Sequence, residues 1–172
     1  MNKLLFNLCI AFTLVYFTSC STEDLQDSND SSITGVWKLT AWNVNEGFDF
    51  NNDGIISTNL LHEIDCSRNE TLFFDQKGVV SLNTVFNPEI NIALLNVSNS
   101  EYNFDVACDS EGVISLATSY TVNGSMIMIG ESKAQINGNQ ISLVFDDRIK
   151  IYNKELTQVV ETKDLTLVYK KQ

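Results

Sequence analysis

The chain has 172 residues, enough for one domain of ordinary size with a short additional segment. Hydrophobic residues make up 44% of it, and a single proline with eight glycines excludes collagen-like and low-complexity proteins. Acidic residues outnumber basic ones by 22 to 11. A surface this acidic repels phosphate backbones, so we expect no binding of nucleic acid.

The N-terminal segment has the features of an export signal. Lys3 supplies a positive charge, and the apolar run over residues 4–17 is too short to span a bilayer comfortably. Thr18 and Ser19 then precede Cys20, which resembles a bacterial lipobox, although Phe17 stands where an aliphatic residue is usual. The resemblance implies a lipoprotein signal peptide over residues 1–19 and a lipidated Cys20, with more than one acyl chain for stable anchoring. The alternative is an ordinary secretory signal with a free cysteine.

Residues 21–32 are polar, acidic and without periodicity, so we interpret residues 20–32 as a lipidated cysteine followed by a disordered tether. Glu23 and Asp24 also resemble the surface-export signal of lipoproteins from Bacteroidetes-type bacteria. A plain solvated linker is the alternative. The chain is therefore expected outside the cytoplasm, anchored by lipid at the outer membrane or cell surface, with one folded domain over residues 33–172.

Strand patterns dominate that domain. Asn123-Gly124 and Asn137-Gly138 are strong signals for hairpin turns. Ser57–Ile64 is predicted as a short helix, and Pro88–Val97 is ambiguous between a strand and a helical turn. The spacing of strands and turns predicts an all-β barrel or sandwich. The predicted strand segments are Gly35–Val44, a hairpin over residues 70–86, Ser100–Cys108, Gly112–Val122, Ser125–Ile136, Gln140–Phe145, Arg148–Tyr152 and Asp164–Lys170.

Two cysteines remain once Cys9 has left with the signal and Cys20 carries lipid. Cys66 and Cys108 are an even pair in an oxidising compartment, so we predict a disulfide between them. It would close a loop of about 43 residues, which the chain-entropy model values at about 4 kcal/mol. The alternative is a pair of buried thiols. With His62 as the only histidine, these residues do not form a zinc set at a familiar spacing.

The segment over residues 49–57 matches the first half of a calcium loop. Gly54 would permit the sharp turn, but Leu60 stands where a bidentate glutamate is expected. The alternative is an Asx-rich turn, in which Asn and Asp side chains bond their own backbone. The candidate calcium ligands are Asp49, Asn51, Asp53 and, through its carbonyl, Ile55.

No recognised catalytic motif accompanies these features. The chain lacks a G-x-S-x-G, an H-E-x-x-H and a phosphate-binding glycine loop. His62 has no evident partner, and Asp146 and Asp147 would point to opposite faces of a strand. We therefore expect a protein that is not an enzyme and that needs no cofactor, calcium excepted.

The start of the domain carries a family resemblance. Gly35-Val36-Trp37 resembles the Gly-x-Trp kernel of lipocalins. A longer pattern resembles the lipocalin-like domain of small Bacteroidetes (Flavobacteria-type) lipoproteins. In chain order it consists of residues 33–39, the acidic loop at 49–54, Leu60-Leu61, Cys66, residues 72–74 and Gly78. The resemblance covers residues 33–170. It implies an antiparallel up-and-down barrel of about eight strands.

The same resemblance implies that Trp37 packs at the closed end of the barrel, with an arginine from a late strand over its ring. Arg148 is the only late arginine. It also implies that the barrel binds a small apolar or amphipathic ligand. The alternative is a structural or protein-interaction module of the cell envelope, with a filled interior and no ligand.

Overall fold

The computed structural model of the protein describes residues 33–98, 100–108 and 116–172. The predicted signal peptide, Cys20 and the tether lie outside these residues. About two thirds of the described residues lie in strands, and the only helical element among them is a 3₁₀ turn. In chain order the strands are β1 (Gly35–Phe48), β2 (Ser57–Asn59), β3 (Thr71–Phe74), β4 (Val79–Asn83), β5 (Pro88–Asn96), β6 (Glu101–Cys108), β7 (Leu116–Asn123), β8 (Met126–Ile129), β9 (Ser132–Asn137), β10 (Gln140–Asn153) and β11 (Val159–Lys171).

Eight of these strands close into an antiparallel barrel. Their order is β1-β3-β4-β7-β8-β9-β10-β11, and β11 returns to pair with β1. The two predicted Asn-Gly turns connect β7 to β8 and β9 to β10, and Gly124 and Gly138 have φ of 60° and 58°. Such left-handed conformations are the ones that glycine adopts at little cost. The prediction of an all-β, antiparallel, eight-stranded barrel is confirmed, and it is consistent with the lipocalin-like architecture.

One hairpin lies outside the barrel. β4 pairs directly with β7, and the β5–β6 hairpin between them in sequence pairs in parallel with the end of β10, at Ile151–Asn153. The segment that was ambiguous is therefore the strand β5. The predicted disulfide between Cys66 and Cys108 is confirmed, with 5.5 Å between the Cα atoms, and it fastens the end of β6 to the segment before β3.

An aromatic cluster holds the same hairpin against the end of β1. Phe104 on β6 lies 5.8 Å from Phe48 and 4.9 Å from Phe50, measured between ring centroids and with the rings nearly perpendicular. Tyr102 makes a similar contact with Phe48 at 5.6 Å. Edge-to-face pairs of this kind contribute about 0.5–1.5 kcal/mol beyond the area they bury.

The predicted helix over Ser57–Ile64 is wrong. Residues 57–59 form β2, which pairs with β1, and only one 3₁₀ turn follows, at Leu60–His62. The Asn59 side-chain oxygen accepts hydrogen bonds from the backbone N–H groups of Trp42 and Leu61, which ties this segment to β1. Gly47 permits the approach, since a Cβ there would lie 2.5 Å from the carbonyl oxygen of Ser57. In the described ranges no helix is long and apolar enough to cross a membrane.

One end of the barrel, called the closed end here, is filled with side chains. Trp37, Phe74 and Tyr120 form a chain of edge-to-face contacts there, with centroids 6.4 Å and 4.9 Å apart, and Ile127 and Ile141 are buried with them. The hydrophobic burial of this layer stabilises the closed end. Trp37 is fully buried in this layer.

Candidate functional site: the barrel lumen

The other end of the barrel, the open end, holds a cavity of about 500 Å³. Every one of the eight barrel strands contributes to its wall, so the cavity is the lumen of the barrel. Leu116 and Arg148 line it and are exposed, and the lumen therefore reaches solvent at this end. The lining residues are Trp42, Glu70, Leu72, Val80, Leu82, Val85, Phe86, Asn87, Leu116, Thr118, Ile129, Ser132, Leu143, Phe145, Arg148, Leu165, Leu167 and Tyr169.

Most of this wall is apolar. Inward positions alternate along the strands, as Leu143 and Phe145 do on β10 and Leu165 and Leu167 do on β11. Trp42 and the loop residue Phe86 meet edge to face, 5.2 Å apart. An apolar cavity with a few polar groups is the usual form of a site for a small molecule.

Glu70 is the one carboxyl group among the described lining residues. Only 4% of it is exposed. Its Oε2 accepts a hydrogen bond of 2.8 Å from the Phe86 backbone N–H, and its Oε1 accepts one from the Tyr169 hydroxyl. The Leu39 N–H donates to the Glu70 carbonyl at 3.0 Å and so fixes the backbone against β1. The lumen wall thus contains a buried, oriented carboxyl.

Burial raises the pKa of Glu70 above its ordinary value of 4.5, because a low dielectric disfavours the charged form; the two hydrogen bonds offset part of this. Burial, the charge of Glu70 and the hydrogen bond to it raise the pKa of Tyr169 well above its ordinary range. The tyrosine therefore keeps its proton and acts as the donor. Perturbed groups in a cavity are typical of functional sites.

A bulge places Arg148 at the open end. Phe145 pairs with Leu165 and Ile149 with Lys163, so the intervening residues of β10 outnumber those of β11. Asp147 adopts a φ of 53°. Its backbone N–H donates to the Asp164 carboxylate at 2.9 Å, and its own carboxylate accepts a hydrogen bond from the Thr162 hydroxyl. Bulges redirect side chains at the rims of barrels. Here the bulge sets the guanidinium of Arg148 into the lumen wall.

The cationic side chain over the Trp37 ring is Lys171, and not the late-strand arginine that the resemblance implies. Lys171 Nζ lies 5.6 Å from the centroid of the Trp37 ring, within the range of a cation–π contact. The Trp37 Nε1–H donates to the Ile33 carbonyl at 2.7 Å. Gly35 has a φ of 118°, which requires glycine. Gly35 and Trp37 are therefore structural residues of the closed end, and neither lines the lumen.

The candidate calcium loop forms an Asx-rich turn. The Asp49 carboxylate accepts the N–H groups of Asp53 and Gly54, each at 3.0 Å, and the Asn51 side chain accepts the Asp53 N–H as well. Asp53 in turn accepts the Ile55 N–H at 2.8 Å. Across the described ranges no three His, Cys, Asp or Glu side chains are grouped so as to hold a metal ion. Calcium binding stays a prediction, which calorimetric titration of chelator-free protein tests.

Sequence reasoning missed Glu70 and Tyr169 as lumen residues. A signal for Glu70 was present, since it alternates with Leu72 and Phe74 and so shares their inward face. Tyr169 likewise alternates with Leu165 and Leu167. His62 is exposed, with its Nε2 3.4 Å from the Asn59 amide, and it lies outside the lumen wall.

Comparison of the chain with protein-family models, with curated proteins and with solved structures found no match. A function is therefore inferred from the lumen itself.

Proposed function

We propose that this protein is a lipid-anchored envelope lipoprotein whose lipocalin-like barrel binds one small apolar or amphipathic molecule in its lumen. The observation that carries the proposal is the cavity of about 500 Å³ to which all eight barrel strands contribute. Binding sites for small molecules usually measure about 300–1,000 Å³ and are lined mostly by apolar side chains. A mostly apolar lumen with an exposed rim fits such a ligand in both size and polarity.

The cavity favours this function over a barrel that serves only as a structural module. A structural barrel gains stability by filling its interior, as the closed end does, because empty space forfeits dispersion contacts. The open end instead has free volume beside the buried Glu70, whose carboxyl is costly in an apolar wall. The proposal is a binding function without a catalytic step.

Binding is tested with Nile red, a neutral apolar dye that fluoresces in apolar surroundings. We expect the protein to bind one dye per chain. Leu143→Trp places an indole in the lumen and should weaken binding by at least about tenfold, since it occupies the volume of the ligand. The matched control is Val144→Trp, because this neighbour on β10 is 56% exposed and lies outside the lumen wall.

Dye binding that is equally strong in both variants would place the dye elsewhere, and no binding at all would contradict the proposal. Circular dichroism and thermal unfolding of each variant establish that the barrel is intact.

The anchor is a separate part of the proposal. Its support is the sequence Thr18-Ser19-Cys20 after an apolar run, together with a disulfide of the kind that persists outside the cytoplasm. Cells that express the full chain would be labelled with an alkyne analogue of palmitate. We expect label on the wild-type protein and none on Cys20→Ala, with the wild-type chain in the membrane fraction. A labelled Cys20→Ala would show that the lipid is attached elsewhere.

A further inference from the structure

Within the described residues, the buried carboxyl of Glu70 has no cationic partner. The salt bridges of the described residues join Lys163 to Glu46 and to Glu161, and neither involves Glu70. Arg148 is the only cationic side chain among the described lining residues; it is exposed at the rim, and no ion pair with Glu70 forms. An ionised carboxylate buried in apolar surroundings is costly unless a cation neutralises it.

The carboxyl also has unused capacity to accept hydrogen bonds. An ionised carboxylate accepts about four of them through its two oxygens. Phe86 and Tyr169 supply two donors. Because Glu70 is part of the lumen wall, we infer that a molecule inside the lumen would use these remaining acceptor positions.

Two aromatic rings in the wall of the same lumen suit a cation as well. Phe86 is joined to Glu70 through its backbone N–H, and its ring packs edge to face on Trp42, 5.2 Å away. Both side chains line the lumen. Aromatic faces attract ammonium groups, most strongly where water is excluded.

We propose that the molecule bound in the lumen carries a protonated amine on an apolar body, and that this amine pairs with the Glu70 carboxylate beside Trp42 and Phe86. The inference rests on the proposed function, whose ligand class it narrows. A charge-assisted hydrogen bond in a desolvated site is stronger than one between neutral groups. The excess of acidic residues over the whole chain, 22 against 11 basic ones, also attracts cations and repels anions.

The test compares three competitors that share one alkyl chain, namely decylamine, decanol and decanoate, each below its micelle concentration. Each displaces Nile red from the wild-type protein near neutral pH. We expect decylamine to displace the dye at a concentration about tenfold lower than decanol does, which corresponds to about 1.4 kcal/mol of added affinity. Decanoate should be the weakest competitor, because its charge would face that of Glu70.

The variant Glu70→Gln keeps the shape of the side chain and removes its charge. It should bind Nile red and lose the preference for decylamine. Glu101→Gln is the matched control, since it makes the same change at the exposed start of β6, outside the lumen wall, and should keep the preference.

Each outcome separates the two proposals. If Nile red binds and decanol or decanoate competes as well as decylamine, the amine inference is overturned and the binding function stands. The inference is also overturned if Glu70→Gln keeps the preference. If no dye binds, the binding function fails first.

A pH series on the wild-type protein covers the case in which Glu70→Gln does not fold. Protonation of Glu70 removes its charge, so the preference for decylamine should disappear on acidification while decanol binding stays constant. The other titratable group that contacts Glu70 is Tyr169, whose raised pKa keeps it protonated throughout, and Arg148 at the rim keeps its charge. A preference that persists well below the ordinary Glu70 pKa of 4.5 would overturn the inference.

Discussion

Tyr169 donates its hydroxyl hydrogen to Oε1 of Glu70, although 99 positions separate the two residues in the chain. The contact joins β11 to the residue that precedes β3, on the two sides of β1. Glu70 also accepts the N–H of Phe86, which lies in the loop after β4. One carboxyl therefore links three separate parts of the lumen wall, and its protonation bears on both stability and binding.

The first prediction concerns the pH dependence of stability. The pKa of Glu70 is higher in the folded than in the unfolded chain, so the folded state binds this proton more tightly. Its contribution to the free energy of unfolding is therefore complete below about pH 4.5 and is lost as the pH rises through the raised pKa. We expect the stability difference, wild type minus Glu70→Gln, to fall with rising pH in this window, as measured by urea unfolding.

Tyr169→Phe serves as the control for that prediction. The Tyr169 hydroxyl bond holds the pKa of Glu70 lower than burial alone would. Its removal should move the same loss of stability to higher pH. A difference between wild type and Glu70→Gln that rises with pH, or that does not change, would contradict the raised pKa.

The second prediction concerns the disulfide. Replacing Cys66 and Cys108 together by serine should lower the free energy of unfolding by up to about 4 kcal/mol, because the unfolded chain then regains the freedom that the closed loop removes. Urea unfolding of the double variant gives the loss, and the wild-type protein in reductant should show a similar one. A loss below about 1 kcal/mol in both would indicate that the pairing of β5 with β10 and the aromatic cluster of Phe48, Phe50, Tyr102 and Phe104 hold the hairpin without the disulfide.

The third prediction concerns the bulge beside Arg148. Asp164→Ala removes the acceptor for the Asp147 N–H and should cost about 1 kcal/mol of unfolding free energy. Asp146→Ala is the control, since within the described part of the chain the Asp146 side chain makes no hydrogen bond. We expect it to change stability by less than about 0.5 kcal/mol. Equal losses in the two variants would argue that Asp164 does not support the bulge.

The fourth prediction uses the two tryptophans, of which Trp42 lines the lumen and Trp37 fills the closed end. A molecule that enters the lumen should change the emission of Trp42, because it replaces water around the indole. We expect the change on adding decanol to be lost in Trp42→Phe and kept in Trp37→Phe. A change that survives in Trp42→Phe would place the ligand away from the lumen.

Turn residues, and the alternation of apolar and polar residues along the strands, were sufficient to predict most of the barrel from the sequence. The Asn-Gly pairs at 123–124 and 137–138 fix hairpins locally, since the left-handed glycine is required wherever the chain lies in space. The segment 88–97 was ambiguous because Ile92 and Ala93, which are neighbours, are both buried. At these two positions both faces of β5 are covered, and such a stretch lacks the alternation that identifies a strand.

The wrong prediction of a helix at 57–64 and the missed lumen site have one cause. Both depend on contacts between strands that are distant in sequence, which local sequence patterns do not contain. The helix was predicted from Ser57 onward, but residues 57–59 pair with β1, and the Asn59 side chain accepts the N–H of Trp42 on that strand. Glu70 shares the inward face of Leu72 and Phe74, but only closure of the barrel brings Tyr169 to it. The bulge at Arg148 depends on Asp164 and Thr162 from the neighbouring strand, so the alternation of β10 does not reveal it.

The chain enters the domain at Ile33, beside Trp37 and therefore at the closed end, opposite the rim with Arg148. With anchoring through Cys20, as proposed, residues 21–32 would join the barrel at its closed end, away from the opening of the lumen. A ligand would then enter the lumen on the side of the barrel that lies away from this attachment point.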